Sequence, residues 1–97
     1  MAYDPGAIDA TLAAAVGDEP QLIAELREAF LDGVRRGLEG LERARDAEEW
    51  RVAACRLKGL AASFGAIRLM AIATEATDAE PQDPALLRRL RRAVERL

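Results

Sequence analysis

The sequence predicts an all-α protein, an antiparallel four-helix bundle with one short additional helix at the N terminus. Apolar residues recur every three or four positions in several segments, which is the period of a helix with one buried face. Hydrophobic residues make up 51% of the chain but aromatic residues only 4%, and alanine is the most abundant residue, so we expect closely packed helices. Short polar breaks between the segments favour antiparallel neighbours.

The first two helices are predicted from apolar spacing and from the residues that interrupt it. The first covers residues 8–16 and ends at Gly17. The second is expected to begin with Asp18 as its N-cap and Pro20 in its first turn, and to end near Arg45. Its apolar face repeats every three or four positions, at Leu22, Leu26, Phe30, Val34, Leu38 and Leu41.

Three glycines interrupt the second helix, at positions 33, 37 and 40, and each costs about 1 kcal/mol relative to alanine. We expect Gly33, Gly37 and Gly40 to allow the close approach of a neighbouring helix, or a slight bend. The charged residues around them exclude a membrane dimerisation motif.

Three further helices follow. The third is expected to start near Asp46, and the fourth to cover residues 66–77. Residues 78–84 contain two prolines and three acids and predict a loop. Asp83 and Pro84 predict the N-cap and first residue of the last helix. The apolar stripe of this helix is Leu87, Leu90, Val94 and Leu97.

The third helix has one apolar face, and Cys55 lies opposite to it. With about 100° of rotation per residue, five residues fall within one arc and are expected in the core: Trp50, Ala53, Leu57, Leu60 and Phe64. Cys55 is therefore expected to face solvent. Four residues share its outer face: Arg51, Lys58, Gly59 and Ala62. Gly59 should leave the surface beside Cys55 uncovered.

The run Ala54-Cys55-Arg56-Leu57-Lys58-Gly59, followed by Gly65-Ala66, resembles the signature of the histidine phosphotransfer (Hpt) family. That signature is Ala-His-x-Leu-Lys-Gly, with a second glycine six residues after the first. Cys55 occupies the position of the phosphorylatable histidine, and the chain contains no histidine. Phe30, Asp46 and Leu69 also match family positions, whereas Leu60 stands where the family usually has a small residue.

The resemblance implies a single domain over residues 1–97 and a role in phosphorelay signalling. The implied partners are response-regulator receiver domains, a sensor histidine kinase, or both. The implied docking surface comprises six residues: Cys55, Lys58, Gly59, Arg51, Ala62 and Gly65. Within it, Lys58 would be the cation near the phosphoryl group. Gly59 and Gly65 would keep the site open and the two central helices close.

The interpretation that this resemblance favours is a non-enzymatic binding module that keeps the docking surface and lacks the phosphoacceptor. One alternative is that Cys55 itself accepts phosphate or senses oxidation, since Arg51 and Lys58 should favour its thiolate. Another is a structural dimerisation domain that uses the arginine pairs of the last helix, although solvation explains those arginines as well. A third is that the natural protein has histidine at position 55.

Other classes of function find little support in the composition. The formal net charge of −3 argues against nucleic acid as the main partner. No apolar run approaches the length of a membrane span, and no secretory signal is visible. One cysteine and no histidine leave no metal site, and no motif implies a cofactor. The lone cysteine fits a reducing cytoplasm. We expect a monomer.

Overall fold

A computed structural model describes residues 5–17 and 19–97. Within these ranges the chain forms five α-helices and no strand: α1 (Pro5–Val16), α2 (Pro20–Arg43), α3 (Ala47–Ser63), α4 (Ile67–Asp78) and α5 (Pro84–Glu95). Helices α2 to α5 pack in sequence, and α5 closes back onto α2, while α1 packs against α2. The predicted fold class, a helical bundle with an additional N-terminal helix, is confirmed.

Helix boundaries differ from the predictions by up to three residues. Helix α1 begins at Pro5, three residues earlier than expected, and α2 ends two residues earlier. The residue before α2 is Glu19, whose side chain makes no capping hydrogen bond, and Asp18, the expected N-cap, lies outside the described residues. Asp83 precedes α5 as predicted, but its side chain does not cap the helix. Of the two residues predicted to start α5, only Pro84 therefore acts as expected, as the first residue of the helix.

The core is entirely apolar in the part of the chain that the structure describes. Its largest fully buried side chains come from all five helices: Trp50, Phe30, Ile8, Leu41, Leu57, Leu69, Leu90 and Val34. The indole Nε1 of Trp50 donates a hydrogen bond of 2.8 Å to the backbone oxygen of Ala76 on α4. Because buried polar groups need such partners, this bond allows the tryptophan to lie in the centre of the bundle.

The buried face of α3 is wider than the predicted arc. Trp50 and Leu57 are buried as expected, and so are Ala54 and Ala61, which the arc left out. The other three residues of the predicted arc, Ala53, Leu60 and Phe64, are only partly buried. The reason is that α3 packs against both α2 and α4, so two neighbouring faces are covered instead of one.

The stripe predicted for α5 is shifted in the same way. Leu87 and Leu90 are buried, but Leu86 and Ala93 complete the buried face. Val94 and Leu97 are only partly buried.

The three glycines of α2 face α3, so of the two expectations the close approach of a neighbouring helix is the one that the structure supports. A Cβ built on Gly33, Gly37 or Gly40 would stand 2.9, 3.1 or 3.5 Å from the side chain of Leu60, Leu57 or Ala53, respectively. The absence of side chains on α2 therefore makes room for the leucines of α3. This contact sets how closely the two helices approach each other.

The loop between α4 and α5 is tied to the end of α2 by one side chain. Nε2 of Gln82 donates hydrogen bonds to the backbone oxygens of Leu41 (2.8 Å) and Ala44 (3.0 Å). These carbonyls belong to the last turn of α2 and its cap, where intrahelical donors run out. The backbone of Gln82 has a positive φ of 66°, a conformation that residues other than glycine adopt only at a cost in free energy.

Candidate docking site around Cys55

Helix α3, which carries Cys55, begins at a well-formed cap. The side chain of Asp46 accepts a hydrogen bond of 2.8 Å from the backbone N–H of Glu49. The Glu49 carboxylate in turn accepts one of 2.8 Å from the backbone N–H of Arg45. This reciprocal pair resembles a capping box. It gives acceptors to two backbone N–H groups at the start of α3 that have no partner within the helix. The predicted role of Asp46 at the start of the third helix is confirmed.

Helix α3 ends in a turn that requires a glycine. Gly65 has a φ of 71°, its N–H donates to Ala62, and the N–H of Ala66 donates to Ala61. This pair of bonds is the Schellman motif, which places glycine in the left-handed conformation just after a helix. Since Ala66 belongs to this turn, α4 begins at Ile67 and not at residue 66. The left-handed conformation at the end of α3 therefore explains why residue 65 is a glycine.

Cys55 is exposed on the outer face of α3, in the position that the helical wheel predicts. Lys58 and Arg51 are exposed on one flank, at about 60° and 40° of rotation from Cys55. Gly59 and Val52 lie on the other flank at similar angles. Val52 is 52% exposed, which is unusual for a valine. Arg56 follows it on the flank towards α2, at about 100° from Cys55, so both flanks carry a cation.

A groove of about 530 Å³ runs between α2 and α3 beside Cys55. The glycines of α2 and the side chains of Leu57 and Leu60 line it, and Cys55 and Gly59 border it. Two arginines, Arg36 of α2 and Arg56 of α3, also line the groove. The groove is thus largely apolar and contains two arginine side chains. This combination suits contact with an apolar surface that carries acidic groups.

Gly59 has no packing reason to be glycine. A Cβ at this position would meet nothing within 4 Å, and Gly59 lies inside α3 with no positive φ. A glycine inside a helix costs about 1 kcal/mol relative to alanine. The resemblance implies that Gly59 helps to keep the central helices close, but the structure contradicts this because the residue faces open space. What Gly59 provides is bare surface next to Cys55.

The six residues predicted for the docking surface do not all gather at one place. Arg51, Lys58 and Gly59 lie within one turn of Cys55, whereas Ala62 lies about 10 Å and Gly65 about 15 Å further along the helix axis. Sequence reasoning missed Val52, Arg56 and Arg36. Val52 could have been found from the sequence, because it is an apolar residue on the outer face of the helical wheel. Arg36 could not, because only the packing of α2 on α3 brings it to the groove.

Comparison with known families gives one match. A family model described as Hpt domain matches residues 18–97, which is most of the chain. The chain belongs to the Hpt domain family. Hpt domains are phosphotransfer carriers of phosphorelay signalling, and they interact with response-regulator receiver domains and with kinases. No curated protein and no solved structure gives a significant match to the chain.

The Hpt match excludes the whole of α1, which ends at Val16. Helices α2 to α5, and with them the groove and Cys55, lie inside it. Across residues 5–17 and 19–97, no helix is both long and apolar enough to cross a membrane. The described side chains also form no group of three His, Cys, Asp or Glu that could hold a metal ion.

Proposed function

We propose that this Hpt domain binds receiver domains, or the kinase that feeds them, without taking part in normal phosphotransfer. The observation that carries the proposal is the pairing of Cys55 with Gly59 on an exposed surface. Cys55 stands at the position that matches the histidine of the family signature, and the chain has no other histidine to replace it. Gly59 keeps the adjacent surface bare at a cost in helix stability.

The chemistry of position 55 explains why transfer should fail. A phosphotransfer histidine takes the phosphoryl group from an aspartyl phosphate onto a ring nitrogen. It later passes the group to the aspartate of another receiver domain. A thiol offers sulfur instead of that nitrogen, and the signature residues contain no imidazole. The docking surface itself does not depend on the acceptor, because the groove and its arginines belong to α2 and to neighbouring turns of α3.

Retention of an otherwise costly surface feature supports a binding role. Natural proteins keep locally unfavourable residues mainly where function needs them. The exposed Val52 and the bare Gly59 fit this pattern, since neither improves the folded domain. Such a module would occupy a receiver, compete with a genuine phosphotransfer protein, or tether a partner. In this proposal residues 1–97 form one domain, which works in the cytoplasm as a monomer.

Receiver binding by three variants tests the proposal. Cys55→Ala should bind the cognate receiver as well as the native chain does, because the thiol is not needed. Gly59→Leu should weaken binding about tenfold or more, because the new side chain fills the bare surface. Ala85→Leu, which places the same side chain on the exposed start of α5, should have no effect. Loss of binding in Cys55→Ala would instead assign the role to the thiol.

A further inference from the structure

The charge of this chain is divided unevenly along its length. Residues 1–49 contain twelve acidic and five basic side chains, whereas residues 50–97 contain five acidic and nine basic ones. Five of those nine basic residues lie on α5 or directly after it: Arg88, Arg89, Arg91, Arg92 and Arg96. An acidic protein therefore carries a concentrated basic surface at its C-terminal helix.

Part of this basic surface is a cleft, which we call the α4–α5 cleft. It has a volume of about 230 Å³ and lies between the two helices. Arg89, Arg92 and Arg96 line it from the side of α5, at the i, i+3, i+7 spacing of one helix face. Arg68 and Glu75 line it from α4, over an apolar floor. Four guanidinium groups and one carboxylate thus converge on a small concave surface.

The single carboxylate of the cleft is already engaged. Glu75 accepts two hydrogen bonds of 2.8 Å each from Nη1 and Nη2 of Arg89, which is a bidentate pair. Arg92 and Arg96 are exposed and have no carboxylate partner among the side chains that the structure describes. The dipole of α5 favours one cation in its last turn, but it does not require several arginines to face a common cleft.

The size of the cleft limits what it can hold. From Arg89 to Arg96 it extends about 10 Å along α5, which corresponds to two turns. An extended polyanion such as nucleic acid would run beyond it onto a chain whose first half is acidic, and would be repelled there. A short row of carboxylates matches both the length and the bidentate geometry of arginine.

We propose that the α4–α5 cleft binds an acidic segment of a partner polypeptide, with Arg92 and Arg96 as the residues that receive its carboxylates. The cleft lies on a different helix pair from the groove beside Cys55, so one copy of the domain can hold two partners at once. This inference does not rest on the proposed function at Cys55, because no residue of the cleft borders the groove.

The test uses a fluorescein-labelled peptide of four glutamates, about 13 Å long when extended, whose anisotropy is followed as the native chain is added. Binding should saturate and weaken as salt rises towards about 0.15 M. Arg92→Glu should lower the affinity about tenfold, and Arg88→Glu about twofold. Arg88 is the matched control because it is exposed on the same helix but does not line the cleft. Arg96→Glu, at the end of α5, provides a second variant should Arg92→Glu perturb the fold.

Three outcomes would overturn this inference. Equal losses in Arg88→Glu and Arg92→Glu would indicate diffuse attraction without a site. Tighter binding of a single-stranded oligonucleotide of four nucleotides would indicate the wrong class of partner. Dimerisation of the native chain that Arg92→Glu abolishes would make a second copy the occupant. Gly59→Leu should leave peptide binding unchanged, so failure at the cleft and failure at the Cys55 site give different results.

Discussion

The side chain of Leu60 on α3 fills the space that Gly33 on α2 leaves open. A Cδ2 of Leu60 lies 2.9 Å from the position that a Cβ on residue 33 would occupy, closer than two carbons tolerate. One turn further along α2, Gly37 stands in the same relation to Leu57, with a distance of 3.1 Å. These two contacts place α3, and hence Cys55, at a fixed distance from α2.

The two glycines should differ in their tolerance of alanine. At position 33 the neighbouring atom is a terminal methyl of the partly buried Leu60, which can rotate away. At position 37 the neighbour is the fully buried Leu57, whose Cβ is also close, at 3.5 Å. Gly37→Ala should therefore destabilise the domain by about 1 kcal/mol, because overpacking outweighs the gain in helix propensity. Gly33→Ala should be nearly neutral.

Urea unfolding of the two variants measures this difference, and circular dichroism checks that both remain helical. A Gly37→Ala variant more stable than Gly33→Ala would show that α2 and α3 are packed less tightly than described.

Gly59→Ala should stabilise the domain and weaken its interactions. The position is helical, exposed and free of neighbours, so alanine should add about 1 kcal/mol to the free energy of unfolding. The same methyl group covers part of the surface beside Cys55 and should reduce affinity for a receiver. Thermal unfolding and a receiver titration on one preparation give both values. A gain in stability with unchanged affinity would remove Gly59 from the docking surface.

Gln82 should stabilise the bundle through its side chain despite an unfavourable backbone. Gln82→Ala removes the bonds to Leu41 and Ala44 and should cost about 2 kcal/mol. Gln82→Gly loses the same bonds but accepts the positive φ without strain, so it should be about 1 kcal/mol more stable than the alanine variant. Equal stabilities in denaturant unfolding would mean that residue 82 does not hold this conformation in solution.

The pair Glu75–Arg89 should make stability depend on pH at the acid end. Hydrogen bonds from Arg89, with a smaller contribution from its charge, hold the pKa of Glu75 below its usual value. A lowered folded-state pKa means that the stabilisation is complete above the unfolded-state pKa of about 4.3. It is then lost as the pH falls through the folded-state pKa.

An NMR titration of the Glu75 carboxyl measures this directly. Arg89→Gln should return its pKa to the ordinary range, whereas Arg88→Gln, on the same helix, should leave it unchanged. The stability difference between the native chain and Glu75→Gln should shrink below about pH 4. An ordinary pKa in the native chain would show that the ion pair is not maintained in solution.

Much of the fold could be predicted from local signals, because helix spacing, glycines and prolines act within a few residues. The exposure of Cys55 and the start of the third helix at Asp46 are of this kind. Ala54 and Ala61 were missed because burial on α3 depends on two neighbouring helices, which a single wheel does not represent. The bond from Gln82 to Leu41 spans 41 positions of the sequence, and only the assembled bundle brings the two together.

The candidate site was predictable to a similar extent. The signature placed Cys55, Lys58 and Gly59 together, since they lie within one helical turn. It also grouped Gly65 with them, although in the structure Gly65 terminates α3. The groove beside Cys55 and its arginine from α2 depend on helix packing, which no local pattern encodes.

The most direct test of the central claim compares phosphotransfer and binding in the native chain and in Cys55→His, with a phosphorylated cognate receiver as donor. We predict that both chains bind the receiver with similar affinity and that only Cys55→His accepts the phosphoryl group. Phosphate on Cys55 of the native chain would contradict the account and make the thiol the acceptor. Absence of binding by both chains would contradict the docking surface itself.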